Sequence, residues 1–202
     1  MSPLRRLEYH IRRLREYGEL ANIGEIARRY FAMNAFDGVL TIIGVLMGNY
    51  SAHVHSASTV IVTGLSTCVA MGISGLWGAY LTESAERKRD LAELESHTLT
   101  DLSQTKIGQA SRAAVVVVAL VDGFAPFLAA LVVLSPFFFT ALWTDITISY
   151  YIALGLALVS LFALGAFLGK ISRQSLIVSG VKMIGAGLMA ILASYLLRVA
   201  GV

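Results

Sequence analysis

Residues 34–48 read NAFDGVLTIIGVLMG, an apolar helix-length run that carries one carboxylate, Asp37, near its start. A charge at that depth of a lipid-facing helix costs about 2.5–3.5 kcal/mol on insertion scales, so it is expected to face a protein interior or a watery path. The rest of the chain says which helices surround it.

The 202 residues are 56% hydrophobic and 14% charged, with a mean hydropathy of +0.72. Soluble domains carry roughly 25% charged residues, so the deficit points to an integral membrane domain. Cys68 is the only cysteine, which rules out an intrachain disulfide. The N-terminal stretch MSPLRRLEYHIRRLREYGE has no apolar core and no small-residue cleavage site, so it does not read as a secretory signal.

Crossing a bilayer core of about 30 Å takes about 20 helical residues. Five stretches meet that length, near 30–50, 58–82, 113–139, 147–169 and 175–197. Basic residues alternate between the connections. Residues 1–29 hold seven Arg and 83–112 hold five Lys or Arg, whereas 50–57 and 140–146 hold none; Lys170 and Arg173 mark the 170–174 turn. The positive-inside rule then puts the N-terminus in the cytoplasm and the C-terminus outside. Tyr50, Trp143, Tyr150 and Tyr151 fall at the expected outer boundary, where amphipathic rings are favoured. The expected fold is therefore all-α, with a cytoplasmic amphipathic segment (1–29), a first transmembrane hairpin (30–82), a charged cytoplasmic helical segment that continues out of the second span (83–112), a second hairpin (113–169) and a fifth transmembrane helix (170–202). Leu4, Leu7, Ile11 and Leu14 recur at helical spacing, as in a helix lying on an anionic leaflet.

The two hairpins look duplicated. Asp37–Gly38 recurs 85 residues later as Asp122–Gly123, and WGAYL (77–81) recurs 87 residues later as LGAFL (164–168). Both copies start on the same side, and transporter sites tend to lie where repeats meet.

Asp37, Asp122 and Lys182 follow Arg29, Arg112 and Arg173 by eight, ten and nine residues. At 1.5 Å per residue each lies about 12–15 Å beyond those inner charges. The three are expected to line a path, Lys182 neutralising one carboxylate, most simply Asp122. In the competing reading Lys182 snorkels and the aspartates bond locally. Pro126 has no N–H, which takes the helical partner from the Asp122 carbonyl and sets two hard oxygens side by side. Gly44 and Gly48, a GxxxG pair, permit close helix approach, as do Gly72, Gly75 and Gly78.

Within 83–112, Glu83, Glu86, Asp90, Glu93 and His97 step by 3, 4, 3 and 4, one helical face. Carboxylates with an imidazole suit Mn2+, Fe2+ or Zn2+. The alternative is a solvated helix with Glu83–Arg87 and Arg89–Glu93 pairs. His53 and His55 form only an HxH, read as loop residues. There is no nucleophile–base arrangement, no HExxH and no phosphate loop, so an enzyme is not expected. The basic residues track membrane orientation and give no reason to expect nucleic acid.

At NAFDGVLTIIGVLMG (34–48), GISGLWGAYLTESAERKRDLAELE (72–95) and LGKISRQSLIVSGVKMIGAG (168–187), the chain resembles the vacuolar iron transporter family. The resemblance implies a five-span homodimer, in a plasma membrane or an organelle membrane, that exports Fe2+ or Mn2+ from the cytoplasm in exchange for protons. No tightly bound cofactor is implied, and the partners are a second subunit, membrane lipid and the transported ion. It also implies a path between the first spans of the two subunits, with Asp37 as a metal-binding residue, and metal capture by a glutamate-rich cytoplasmic helical domain whose acidic character Glu83, Glu86 and Glu93 keep; Asp90 and His97 join that set on the helical spacing alone. The chain departs from the family where span 2 carries a glutamate and, eight residues on, a methionine: here stand Thr67 and Gly75. Its cytoplasmic segment is also about half the expected length. These departures raise a second expectation, a scaffold of the same fold that binds a protein or lipid and moves no metal.

Overall fold

A computed structural model describes residues 23–142 and 145–200. The amphipathic repeat of residues 4–17 and Trp143 lie outside the described residues. Five α-helices follow in order: α1 (Ile23–Ser51), α2 (Ala57–Thr98), α3 (Lys106–Phe138), α4 (Ile146–Ile171) and α5 (Leu176–Val199), with a 3-10 turn at Thr140–Leu142. No strand occurs among the described residues. All five helices are long and apolar enough to cross a membrane; even α5, at 24 residues, reaches about 36 Å. The protein is a multi-pass integral membrane protein.

Helix α2 runs for 42 residues, about 63 Å and roughly twice a bilayer core. Its apolar part ends near Leu81, and AERKRDLAELE (85–95), built from strong helix formers, carries it on. The charged segment does not continue as helix throughout. It stops at Thr98, and Leu99 takes a left-handed φ of 52°. Short polar side chains then compete for the backbone. Glu95 accepts the Leu102 N–H at 2.8 Å, Asp101 accepts the Ser103 N–H at 2.8 Å, and the Thr105 hydroxyl donates to the Leu102 carbonyl at 2.6 Å. The Ser103 side chain and N–H hold the Asp101 carboxyl below its usual range.

Contacts divide the chain into two compact units. The described residues of one are 23–31 and 73–123; the other holds 32–72 and those from 124 on. The first is built from small side chains, with Ala79, Ala110, Ala114, Val118 and Ala119 buried. The second holds the larger core, in which Ile42, Ile43, Leu46, Val60, Leu134, Phe137 and Leu161 are fully buried. Backbones meet there at glycines. A Cβ at Gly38 would lie 2.5 Å from the Pro126 carbonyl oxygen, and one at Gly165 would lie 2.5 Å from that of Ser179, which seats α5 on α4. Only Gly180 and Gly187 are buried on α5, and Leu176, Ile177, Val181, Leu188, Met189 and Leu192 stand exposed on it, as lipid contact favours.

Several hydroxyls in the spans are satisfied within their own helix, because lipid offers no partner. Pro136 in α3 denies the Val132 carbonyl its helical N–H, and the Ser135 hydroxyl donates to that oxygen at 2.7 Å. Thr67, Thr82, Ser160 and Ser194 each donate to the carbonyl four residues back. At the α1–α2 turn the Tyr150 hydroxyl donates to the Val54 carbonyl at 3.0 Å. Tyr50 stands edge-on to Tyr150 at 5.4 Å and carries the Arg198 guanidinium over its ring at 5.7 Å.

Three of the four helix bounds fit the expected repeat spacing and one does not. Adding 85 to the ends of α1 gives 108 and 136, against 106 and 138 for α3; adding 87 to the ends of α2 gives 144 and 185, against 146 and 171 for α4, because α2 runs on as a charged helix past its apolar part.

Candidate functional site

Helix α1 buries Ala35, Val39, Ile42, Ile43 and Leu46 on one side. Its opposite side carries Met33, Asp37, Thr41, Gly44 and Gly48, spaced 4, 4, 3 and 4, so they lie on one helical face. Met33, Asp37, Gly44 and Gly48 are exposed and Thr41 is half-buried. A Cβ at Gly44 or Gly48 would meet nothing within 4 Å. Asp37 forms no hydrogen bond or ion pair with the described residues. An ionised carboxylate on the open face of a membrane helix needs water, a cation or another protein surface opposite it.

Asp122 is buried. The α2 backbone closes over it at Gly75, where a Cβ would lie 2.9 Å from the Asp122 carbonyl oxygen and 3.1 Å from Oδ2. Lys182 is exposed on α5 and forms no ion pair among the described residues.

Of the acidic face on α2, Glu83 is already engaged. The Tyr30 hydroxyl donates to its Oε1 at 3.1 Å, and Arg87 Nε lies 3.5 Å from its Oε2, the expected i,i+4 pair. Glu86, Asp90, Glu93 and His97 are exposed. His97 stands in the last turn of α2, where an imidazolium complements the helix dipole. Among the described residues, no three His, Cys, Asp or Glu side chains are gathered to hold one ion.

Thr67 and Gly75 offer α2 little as ligands. The Thr67 hydroxyl donates to the Thr63 carbonyl at 2.8 Å, and Gly75 has no side chain. His53 and His55 line a cavity of about 140 Å³ with Tyr50, Tyr150 and Arg198. A guanidinium in the same cavity disfavours a cation there. Nearby Asp145 caps α4, and the Thr147 N–H, helped by the charge of His55, holds its carboxyl below the usual range.

Sequence reasoning missed Tyr30 and the second role of Gly75. Tyr30 adjoins Arg29 at the start of the first apolar run, and Glu83 follows the apolar run of α2, so a boundary pairing was visible in principle. Nothing local marks Gly75 as the cover of a carboxylate 47 residues away.

A family model described as the VIT family matches residues 29–104 and 97–198, the two matches meeting at the turn between α2 and α3. An uncharacterized protein of Methanocaldococcus jannaschii is 30% identical over 178 residues, covering 87% of this chain and 90% of the relative. The chain belongs to the VIT family, a family of membrane metal-ion transporters.

Proposed function

We propose that the protein is a homodimer that moves Fe2+ or Mn2+ out of the cytoplasm, with protons moving the other way. The carrying observation is Asp37, exposed in the middle of a GxxxG-bearing membrane helix and without a polar partner among the described residues. Two copies of α1 facing each other across Gly44 and Gly48 would bring two Asp37 carboxylates to one axis and shield them from lipid. That doubling also suits a chain whose described residues gather no three such ligands. Ionised Asp37 binds the divalent ion with Met33 as a soft neighbour one turn away; protonation weakens the bond and releases the ion, which couples metal to proton movement.

In this reading the N-terminus and the α2–α3 turn are cytoplasmic and the C-terminus is outside. Glu86, Asp90, Glu93 and His97 raise the local ion concentration at the mouth, Glu83 serves mainly to hold the mouth in shape, and Asp122 and Lys182 set the field inside a duplicated pair of hairpins. The reading assigns no bond-making chemistry, so the protein is not an enzyme.

The test is metal flux into proteoliposomes carrying wild type, Asp37→Ala or Asp37→Asn. Flux at background in both variants, with the dimer intact, is the expected result; equal flux in all three sinks the reading. The Thr67 hydroxyl bound to its own helix, with no side chain at Gly75, favours a second reading. In it the chain is a non-transporting scaffold that binds a protein or lipid, and wild type itself would show background flux.

A further inference from the structure

We propose that the cleft between the charged end of α2 and the start of α3 binds one anionic phospholipid, phosphate at the rim and the first part of an acyl chain inside. The cleft has a volume of about 240 Å³. Among the described residues three cations line it, Arg87, Lys88 and Arg112, and no carboxylate does. Arg87 shares its charge with Glu83. Arg112 Nη2 donates to the Ser103 carbonyl at 2.8 Å, a neutral partner that leaves its charge uncompensated. Lys88 is exposed and forms no ion pair among the described residues. The Ser111 hydroxyl lies on the same wall and supplies a neutral donor.

The depth of the cleft selects the ligand. Leu91 and Val115 supply its apolar part, and Val115 stands near the start of the long apolar run of α3, while Arg87 and Lys88 follow the last apolar turn of the α2 span. The cleft thus stands where the spans change from apolar to charged, the level of lipid headgroups, and basic pockets at that level are where acidic headgroups dock. A free phosphate would use the cations and leave the apolar part bare. The chain's own residues 1–22 carry five Arg against three Glu, a like-signed segment that the rim would repel. Asp90 lines a neighbouring cavity of about 170 Å³ that shares Arg87, Leu91 and Ser111 with this one but includes neither Lys88 nor Arg112, so an anion is favoured in the first. This site is independent of which ion the protein carries.

The experiment retains lipid on full-length protein. Detergent-solubilised, delipidated protein is mixed with equal phosphatidylglycerol and phosphatidylcholine, re-isolated, and its bound lipid counted by native mass spectrometry. Wild type is expected to hold phosphatidylglycerol in preference. Lys88→Ala and Arg112→Ala should each lower that retention roughly fivefold, about 1 kcal/mol per cation. Leu91→Trp fills the apolar part with every charge intact and should expel the lipid as well. Lys88→Ala changes an exposed helical residue, so it decides the matter even if the Arg112 variant fails to fold. Equal retention of the two lipids by wild type overturns the proposal, as does unchanged retention in Lys88→Ala. Complete displacement of phosphatidylglycerol by millimolar inorganic phosphate overturns it too, since the acyl chain would then contribute nothing.

Discussion

Gly75 presses its backbone onto Asp122 so closely that a Cβ on residue 75 would sit 2.9 Å from the Asp122 carbonyl oxygen and 3.1 Å from Oδ2. The absent side chain at this position is therefore a packing requirement in this chain. Gly75→Ala should destabilise the protein by about 1–3 kcal/mol, the usual range for forcing a methyl into filled space. Gly75→Met, which restores the residue the family resemblance leads one to expect, should do worse. Adding Asp122→Ala removes only the Oδ2 contact, so it should restore part of the Gly75→Ala loss. Thermal unfolding in detergent of the two single variants and the double reads this coupling; strict additivity would show that the two residues do not interact.

Glu83 and the other carboxylates of the α2 face should separate by experiment. Tyr30→Phe removes a hydrogen bond to a half-buried carboxylate and should cost about 1 kcal/mol of stability, with Glu83→Gln similar or worse. Glu86→Gln with Glu93→Gln changes exposed side chains and should stay within about 0.5 kcal/mol of wild type. If the face gathers metal, the same double variant slows uptake at low metal concentration, where capture limits flux. A large stability loss in the double variant would place these residues in the fold instead.

How much of this could be read from the chain follows from the range of the interactions. The five spans were legible because hydrophobic length is a local property and the bilayer sets a fixed ruler. The helical face of Glu83, Glu86, Asp90, Glu93 and His97 was legible too, since α2 does run on to Thr98. The stop there was missed, although TLTDLSQT (98–105) has the Ser/Thr/Asp density of a turn without its usual Gly or Pro. Tyr30 to Glu83 and Gly75 to Asp122 were illegible in practice, being separated by 53 and 47 residues. The open face of α1 was also hidden, because an apolar run in a membrane protein shows no polar side to mark which face is buried.

The cap of α4 should be pH-sensitive. Thr147 donates its N–H to Asp145 at 2.8 Å, and that bond holds the Asp145 carboxyl below its usual range. A depressed folded-state value means that the stabilisation is present above the unfolded carboxylate value. It is lost as pH falls through the lower, folded one. Protection from hydrogen exchange in the first turn of α4, taken relative to the intrinsic rate at each pH, should therefore fall only in strongly acidic buffer. Asp145→Asn keeps a good capping group without a charge, so it should remove that fall while leaving protection at neutral pH close to wild type. A protection that still falls in acid in the variant would assign the effect to another group.

Three glycines should respond in opposite ways to one substitution. At Gly165 a new Cβ would run into the Ser179 carbonyl oxygen at 2.5 Å, with the Gly180 Cα at 2.8 Å behind it. Gly165→Leu should push α5 off α4 and cost several kcal/mol, beyond the about 1–3 kcal/mol of ordinary overpacking, because both obstacles are backbone. At Gly44 and Gly48 the same Cβ meets nothing within 4 Å. Leucine there should leave the folded subunit intact, and even favour the helix by about 1 kcal/mol at each position. In the proposed dimer those two positions are where a second α1 approaches, so Gly44→Leu with Gly48→Leu should convert dimer to monomer and stop metal flux. Size-exclusion chromatography with light scattering reads the first effect and proteoliposome flux the second. A variant that stays dimeric and transports normally would remove α1 from the interface, and Asp37 would need some other neighbour to justify its charge.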